Sequence, residues 1–125
     1  MAFWNRKELG DAGESLACKF LKKSGYRILA RNFECPVGEI DIICSTDGVI
    51  AFVEVKTRVD DSAADPENNI RRDKKRHIER TARCWLAQNG NPPGAYRFDA
   101  ISIVMPEKGD PVVRHIVDAF RASGG

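Results

Sequence analysis

Gly38-Glu39-Ile40-Asp41-Ile42-Ile43, followed after a short turn by Ala51-Phe52-Val53-Glu54-Val55-Lys56-Thr57-Arg58, is the pair of segments whose reading decides the fold. Both are strand-like runs of β-branched and aromatic residues, and each interrupts its apolar pattern with charge. Burying an unpaired carboxylate is costly, so acids in such places are paired, protonated, solvated or metal-bound. The Thr46-Asp47-Gly48 turn between them has the Asp-Gly chemistry of a hairpin, giving strands over 38–45 and 49–58.

Working outward, Tyr26 to Phe33 reads as a strand that pairs with 38–45 through Glu34-Cys35-Pro36-Val37. Before it, Leu9, Ala12, Leu16, Ala17, Phe20 and Leu21 recur at three- and four-residue intervals, predicting an amphipathic helix over 8–23 that ends at Ser24-Gly25. Gly13 sits within that stripe, where a missing side chain permits close approach to a sheet. Glu14 lies at the stripe's margin, and its placement suits either a surface glutamate or a carboxylate reaching into a cleft.

Downstream, Val59 to Asn69 is acidic and aperiodic and is expected to form an exposed mobile loop. A second helix is predicted over 70–88 with Ile78, Ala82, Trp85 and Leu86 on its buried stripe, where Trp85 serves the core. Lys74 lies in line with that stripe, so an inward-pointing ammonium at the helix start calls for an anion. Tyr96 to Met105 predicts a central strand, Val112 to Val117 a short last one, and Asp118 to Ser123 a terminal helical turn. Asp99, in Arg97-Phe98-Asp99, is expected to pair with its arginine.

A chain of 125 residues suits one domain spanning 1–125, able to bury roughly two thirds of its unfolded surface without disulfides or structural metal. Cys18, Cys35, Cys44 and Cys84 form no C-x-x-C pair and read as reduced, packing thiols. No signal-like segment begins the chain, and the longest apolar run, Val49 to Val53, is too short to span a bilayer. A cytoplasmic protein without a membrane partner is the expectation. Between Arg71 and Arg83 seven basic residues face two acidic ones, on a chain whose net charge is only +2. Such a patch suits a nucleic acid, with Arg58, Arg71, Arg72, Lys74, Lys75 and Arg76 as candidate phosphate contacts.

Glu54 and Lys56 share one face of their strand because side chains alternate. With Asp41 on the neighbouring strand they can supply the parts for metal-assisted phosphodiester hydrolysis. Hard Mg²⁺ or Mn²⁺ would take oxygens from Asp41, Glu54 and the carbonyl of Val55. Lys56 would hold or help deprotonate the attacking water and offset charge in the transition state. Glu39 shares the Asp41 face and competes for its role.

Glu14, Gly38-Glu39-Ile40-Asp41, Phe52-Val53-Glu54-Val55-Lys56-Thr57-Arg58, Lys74 and Arg97-Phe98-Asp99 together resemble the YraN family of small bacterial proteins. That family is similar to the restriction-endonuclease-like PD-(D/E)xK nucleases, in particular the archaeal Holliday-junction resolvases. The resemblance covers about Leu9 to Val104 and implies an α/β fold with an αβββαβ core, a mixed sheet flanked by helices. It also implies that Asp41 binds metal, that Glu54 and Lys56 form the D/E-x-K pair, and that Glu14 is the additional helix carboxylate. The sequence departs from the pattern in its acidic loop, where Asp60, Asp61, Asp65 and Glu67 are expected to repel DNA unless the loop moves.

The expectation is therefore an endonuclease acting on DNA rather than RNA, including branched DNA, and working as a homodimer. A nucleic-acid-binding module of nuclease-like fold that does not cut, and an adaptor whose basic helix docks on an acidic protein, are the other readings.

Overall fold

The computed structural model describes residues 5–60 and 72–121, with the backbone alone at 72 and 73. Most of the expected acidic loop, including Asp61, Asp65 and Glu67, lies outside the described residues, as does Arg71.

Helix α1 (Arg6–Lys23) begins where the Asn5 side chain accepts the Glu8 N–H at 2.7 Å, satisfying one of the helix's first free donors. It leads into β1 (Arg27–Cys35), β2 (Gly38–Thr46) and β3 (Val49–Arg58), then α2 (Arg72–Gln88), β4 (Ala95–Val104) and β5 (Val112–Phe120). The five strands form one mixed sheet in the order β1-β2-β3-β4-β5. Only β3 and β4 run parallel, because α2 crosses over between them, whereas the other neighbours are antiparallel. This is the αβββαβ order expected, with β5 added at the edge.

The two helices cover opposite faces of the sheet. Ala17, Cys18 and Leu21 of α1 pack on Ile42, Cys44, Ala51, Val53, Ile101 and Ile103. Ile78, Ala82 and Trp85 of α2 pack on Ile40, Ile43, Ile50, Phe52 and Phe98. The stripe read for α2, with Trp85 in the core, is the one the fold uses.

Two glycines set the distances between layers. A Cβ built on Gly13 would lie 1.9 Å from Thr57 Oγ1, so α1 approaches β3 as closely as its missing side chain permits. A Cβ on Gly38 would meet Thr81 Oγ1 of α2 at 2.7 Å. The turn at Asp47 and Gly48 has φ of 47° and 78°, the left-handed pair that an Asp-Gly hairpin supplies.

The C-terminal segment corrects the expectation of a helical turn over 118–123. β5 continues to Phe120, whose ring stacks on Phe98 at 4.9 Å between centroids. Its register against β4 shifts between Phe98 and Ala100, and Asp118 takes up the extra length with φ of 56°. The cause is Asp99, a wholly buried carboxylate whose Oδ1 accepts the Asp118 N–H at 2.9 Å. Arg97 Nε donates to the same oxygen at 2.9 Å, and His115 Nε2 lies 2.8 Å from Oδ2. Burial alone would raise the Asp99 carboxyl, but these hydrogen bonds hold it below its ordinary range. The predicted Arg97 partnership is present, within a larger network.

Candidate active site

The α2 face of the sheet changes character along β3 and β4. Where α2 covers it, the even-numbered residues are apolar: Ile50, Phe52 and Phe98. Beyond the start of α2 the same alternation presents Glu54, Lys56 and Arg58. On this face of β3 charge therefore begins where the helix ends its cover.

Asp41 reaches the site through a break in β2. Ile40 packs on the α2 side and Ile42 on the α1 side, so the two-residue alternation slips at Asp41. Asn32 of the neighbouring β1 has φ of 50°, a left-handed kink at the same level. The pairing of β2 with β3 runs from Thr46↔Val49 to Ile42↔Val53 and stops there. In the fork that opens, Asp41 Oδ2 accepts the backbone N–H of Val55 at 2.8 Å, replacing a strand partner by a carboxylate.

Asp41, Glu54, Val55 and Lys56 line one cleft of about 380 Å³, together with Glu39 from β2 and Lys74 and His77 from α2. Lys74 Nζ lies 2.9 Å from Glu54 Oε2, the anion that its inward placement called for. Glu14 is half-buried on α1 and is not among the cleft-lining residues, although it feels the charge of Asp41 and hydrogen-bonds Asn32. His77 was not read from the sequence. One turn after Lys74 on the same helix side, it was reachable by the i, i+3 rule.

Charge in the cleft is strongly coupled. Burial, and then the neighbouring charge of Glu54, push Asp41 up to about 6, while the Val55 N–H and Lys74 oppose them. The ammonium of Lys74, followed by partial burial, pulls the Lys56 amine below the ordinary lysine value. Burial also acts against Lys74, but its ion pair with Glu54 outweighs that and holds its proton more tightly. Of the two amines in contact, Lys56 is the one that gives up its proton first. Burial and then Asp41 raise Glu14, with Arg31 and Asn32 offsetting part of the rise.

The remaining candidates are dispersed. Arg76 is exposed on α2, Lys75 stands over the Phe120 ring at 5.6 Å, and the side chain of Arg72 lies outside the described residues. Arg58 lines a second, smaller cleft with residues of β4 and β5.

The donor set fits a hard divalent cation. The carboxylates of Asp41 and Glu54 face one open cleft beside that of Glu39, the charge of Glu54 helps to raise the Asp41 carboxyl, the Val55 peptide is beside them, and the Lys74 ammonium stands on Glu54 where a cation would sit. Among the described residues no three His, Cys, Asp or Glu side chains are grouped to hold a metal ion.

The Asp41 carboxyl is raised from 3.8 to about 6, so the fold favours the protonated form and loses stability as pH rises through that window. Without metal at pH 7.5, Asp41→Asn should be more stable than wild type by on the order of 2–3 kcal/mol, and the gain should vanish near pH 4. Urea unfolding at the two pH values checks both the size and the sign.

The fold and site thus define a class: a mixed sheet between two helices, open at one end onto a cleft holding Asp41, Glu54 and Lys56. Residues 13–103 match the uncharacterised protein family UPF0102, and the chain belongs to that family. This is the YraN resemblance read from the motifs. A UPF0102 protein of Geotalea daltonii is 43% identical over 93% of this chain and 91% of its own length. Relatives of the same description occur in Caldicellulosiruptor saccharolyticus, 42% identical over 93% and 99%, and in Nocardia farcinica, 38% identical over 93% and 91%. Among the described residues no helix is long and apolar enough to cross a membrane.

Proposed function

We propose that the chain is a Mg²⁺- or Mn²⁺-dependent endonuclease that hydrolyses phosphodiester bonds in DNA, branched DNA included. The observation that carries this reading is the convergence of Asp41, Glu54, Val55 and Lys56 in one cleft at the start of a basic helix. Asp41, Glu54 and the Val55 carbonyl would hold the cation. When bound, it supplies Lewis-acid polarisation of the phosphate and acidifies water.

The protein's own groups do the rest. Lys56, with its weakened hold on a proton, accepts one from the attacking water. Lys74, still charged, offsets the negative charge that grows on the phosphate. Glu14, on α1 and outside the cleft's lining, shares like-charge repulsion with Asp41 and so would tune the site's charge rather than hold the cation. The reading places the chain in the cytoplasm and acting as a homodimer, each copy cutting one strand, which light scattering would test by the mass at working concentration.

The test is a panel of end-labelled duplex, flapped and four-way DNA incubated with Mg²⁺, Mn²⁺ or EDTA. Cleavage with either metal and none with EDTA is expected. Absence of product on every substrate with both metals contradicts the reading.

One observation favours a second reading, a DNA-binding module that does not cut. The 2.9 Å contact of Lys74 with Glu54 occupies a carboxylate that the metal needs. That module would bind with strong salt dependence and give no product with any divalent cation.

A further inference from the structure

The sheet's charged face does not stop at the cleft. Lys56 of β3 is in register with Ser102 of β4, and Ser102 with Arg114 of β5. Partners in register project from the same face, so the α2 side continues from Lys56 across Ser102 to Arg114, while Arg58 lies two residues further along β3. Arg58, Ser102 and Arg114, with Val104 and Val112 as walls, line a second cleft of about 140 Å³. Ser102 is buried and Arg114 exposed, so the cleft has a hydroxyl in its floor and a guanidinium at its mouth.

We infer that this second cleft binds a backbone phosphate of the same nucleic-acid strand that is cut at Asp41 and Glu54, a short way along from the reacting phosphate. Two guanidinium groups and a hydroxyl are donors suited to a phosphate diester, and Arg recognises its oxygens through a planar fork. Arg58 and Arg114 also make contacts within the chain, and a phosphate would share their guanidinium groups with those contacts. Two strand spacings separate Lys56 from Arg114, about 10 Å, a span that a short stretch of one DNA strand bridges. The strand therefore runs across β3, β4 and β5 on the α2 face, with its reacting phosphate in the larger cleft and a second one held at a fixed distance. The two halves of this path come from segments more than forty residues apart in sequence. This inference rests on the reading of the chain as a protein that acts on nucleic acid.

Fluorescence anisotropy with a labelled DNA duplex and a labelled four-way junction, across a salt series, tests it. Arg114→Ala should weaken binding and lower the slope of log affinity against log salt by about one. Arg114→Lys keeps the charge but loses the fork, and should stay closer to Arg114→Ala than to wild type. Ser102→Ala should weaken binding without changing the slope. Inorganic phosphate at millimolar concentration should compete with DNA far less than equal ionic strength of unlabelled DNA, since one phosphate fills only one cleft. Unchanged affinity and slope in Arg114→Ala overturns the inference, and so does Arg114→Lys behaving as wild type. DNA that binds and depends on Arg114 but is never cut leaves the inference standing and removes the endonuclease reading. DNA that does not bind wild type at all removes both.

Discussion

Lys56→Ala should reduce metal-dependent DNA cleavage by about 10²- to 10⁴-fold, the range expected when a positioned proton acceptor is removed. The reason lies in the difference between two adjacent amines. Lys74 is tied to Glu54 at 2.9 Å and keeps its charge, whereas Lys56 feels that charge and is depressed. The wild-type rate should accordingly rise with pH to a plateau, with a midpoint below the ordinary lysine value of 10.5. That limb should be absent from the residual activity of Lys56→Ala. Lys56→Arg separates the two roles, because arginine retains charge but does not release a proton in this pH range. If Lys56→Arg restores the rate, Lys56 serves as a charge and the proton-acceptor role is wrong.

Asp99→Ala is expected to destabilise the fold by about 3–5 kcal/mol, the cost of breaking a buried ionic network from one side. The carboxylate is fully buried and its loss leaves Arg97, His115 and the Asp118 N–H without their common partner. It also removes the reason for the bulge at Asp118, so β5 should fray from its Phe120 end. The pH dependence has a defined sign. Because the folded carboxyl is held below its ordinary 3.8, Asp99 contributes stability above that pH, and the contribution is lost as pH falls below it. Chemical denaturation of Asp99→Ala and Asp99→Asn at neutral pH and near pH 3 measures this; equal stability of wild type and Asp99→Ala at neutral pH would contradict it.

Much of this architecture could be read from local pattern. The Gly13 gap in the α1 stripe anticipates the contact with Thr57, and the Asp-Gly turn fixes the β2–β3 hairpin. The Ile78, Ala82 and Trp85 spacing gives the buried side of α2, and from it follows the inward direction of Lys74. Each of these depends on residues within a few turns of one another. What pattern does not carry is set by long-range register. The slip at Asp41 needs the kink at Asn32 and the end of β2–β3 pairing, and no window of one strand contains both. The extension of β5 depends on Phe120 stacking on Phe98 and on Asp99 capturing a distant N–H, so 118–123 reads locally as a helical turn. Arg114 likewise gains its place beside Ser102 only through the β4–β5 pairing. His77 was accessible in principle, one helical turn from Lys74, but its exposure on a basic helix gives no local sign of a cleft.

A nuclease built this way depends most on the two carboxylates acting as a cation site. Crystals grown with Mn²⁺ and measured for anomalous scattering address this directly, in wild type and in Asp41→Asn. A single strong peak bridging Asp41 and Glu54, with Lys74 withdrawn from Glu54 and the peak lost in Asp41→Asn, is the predicted result. A cleft without a peak at saturating Mn²⁺, with Lys74 still seated on Glu54, would contradict it.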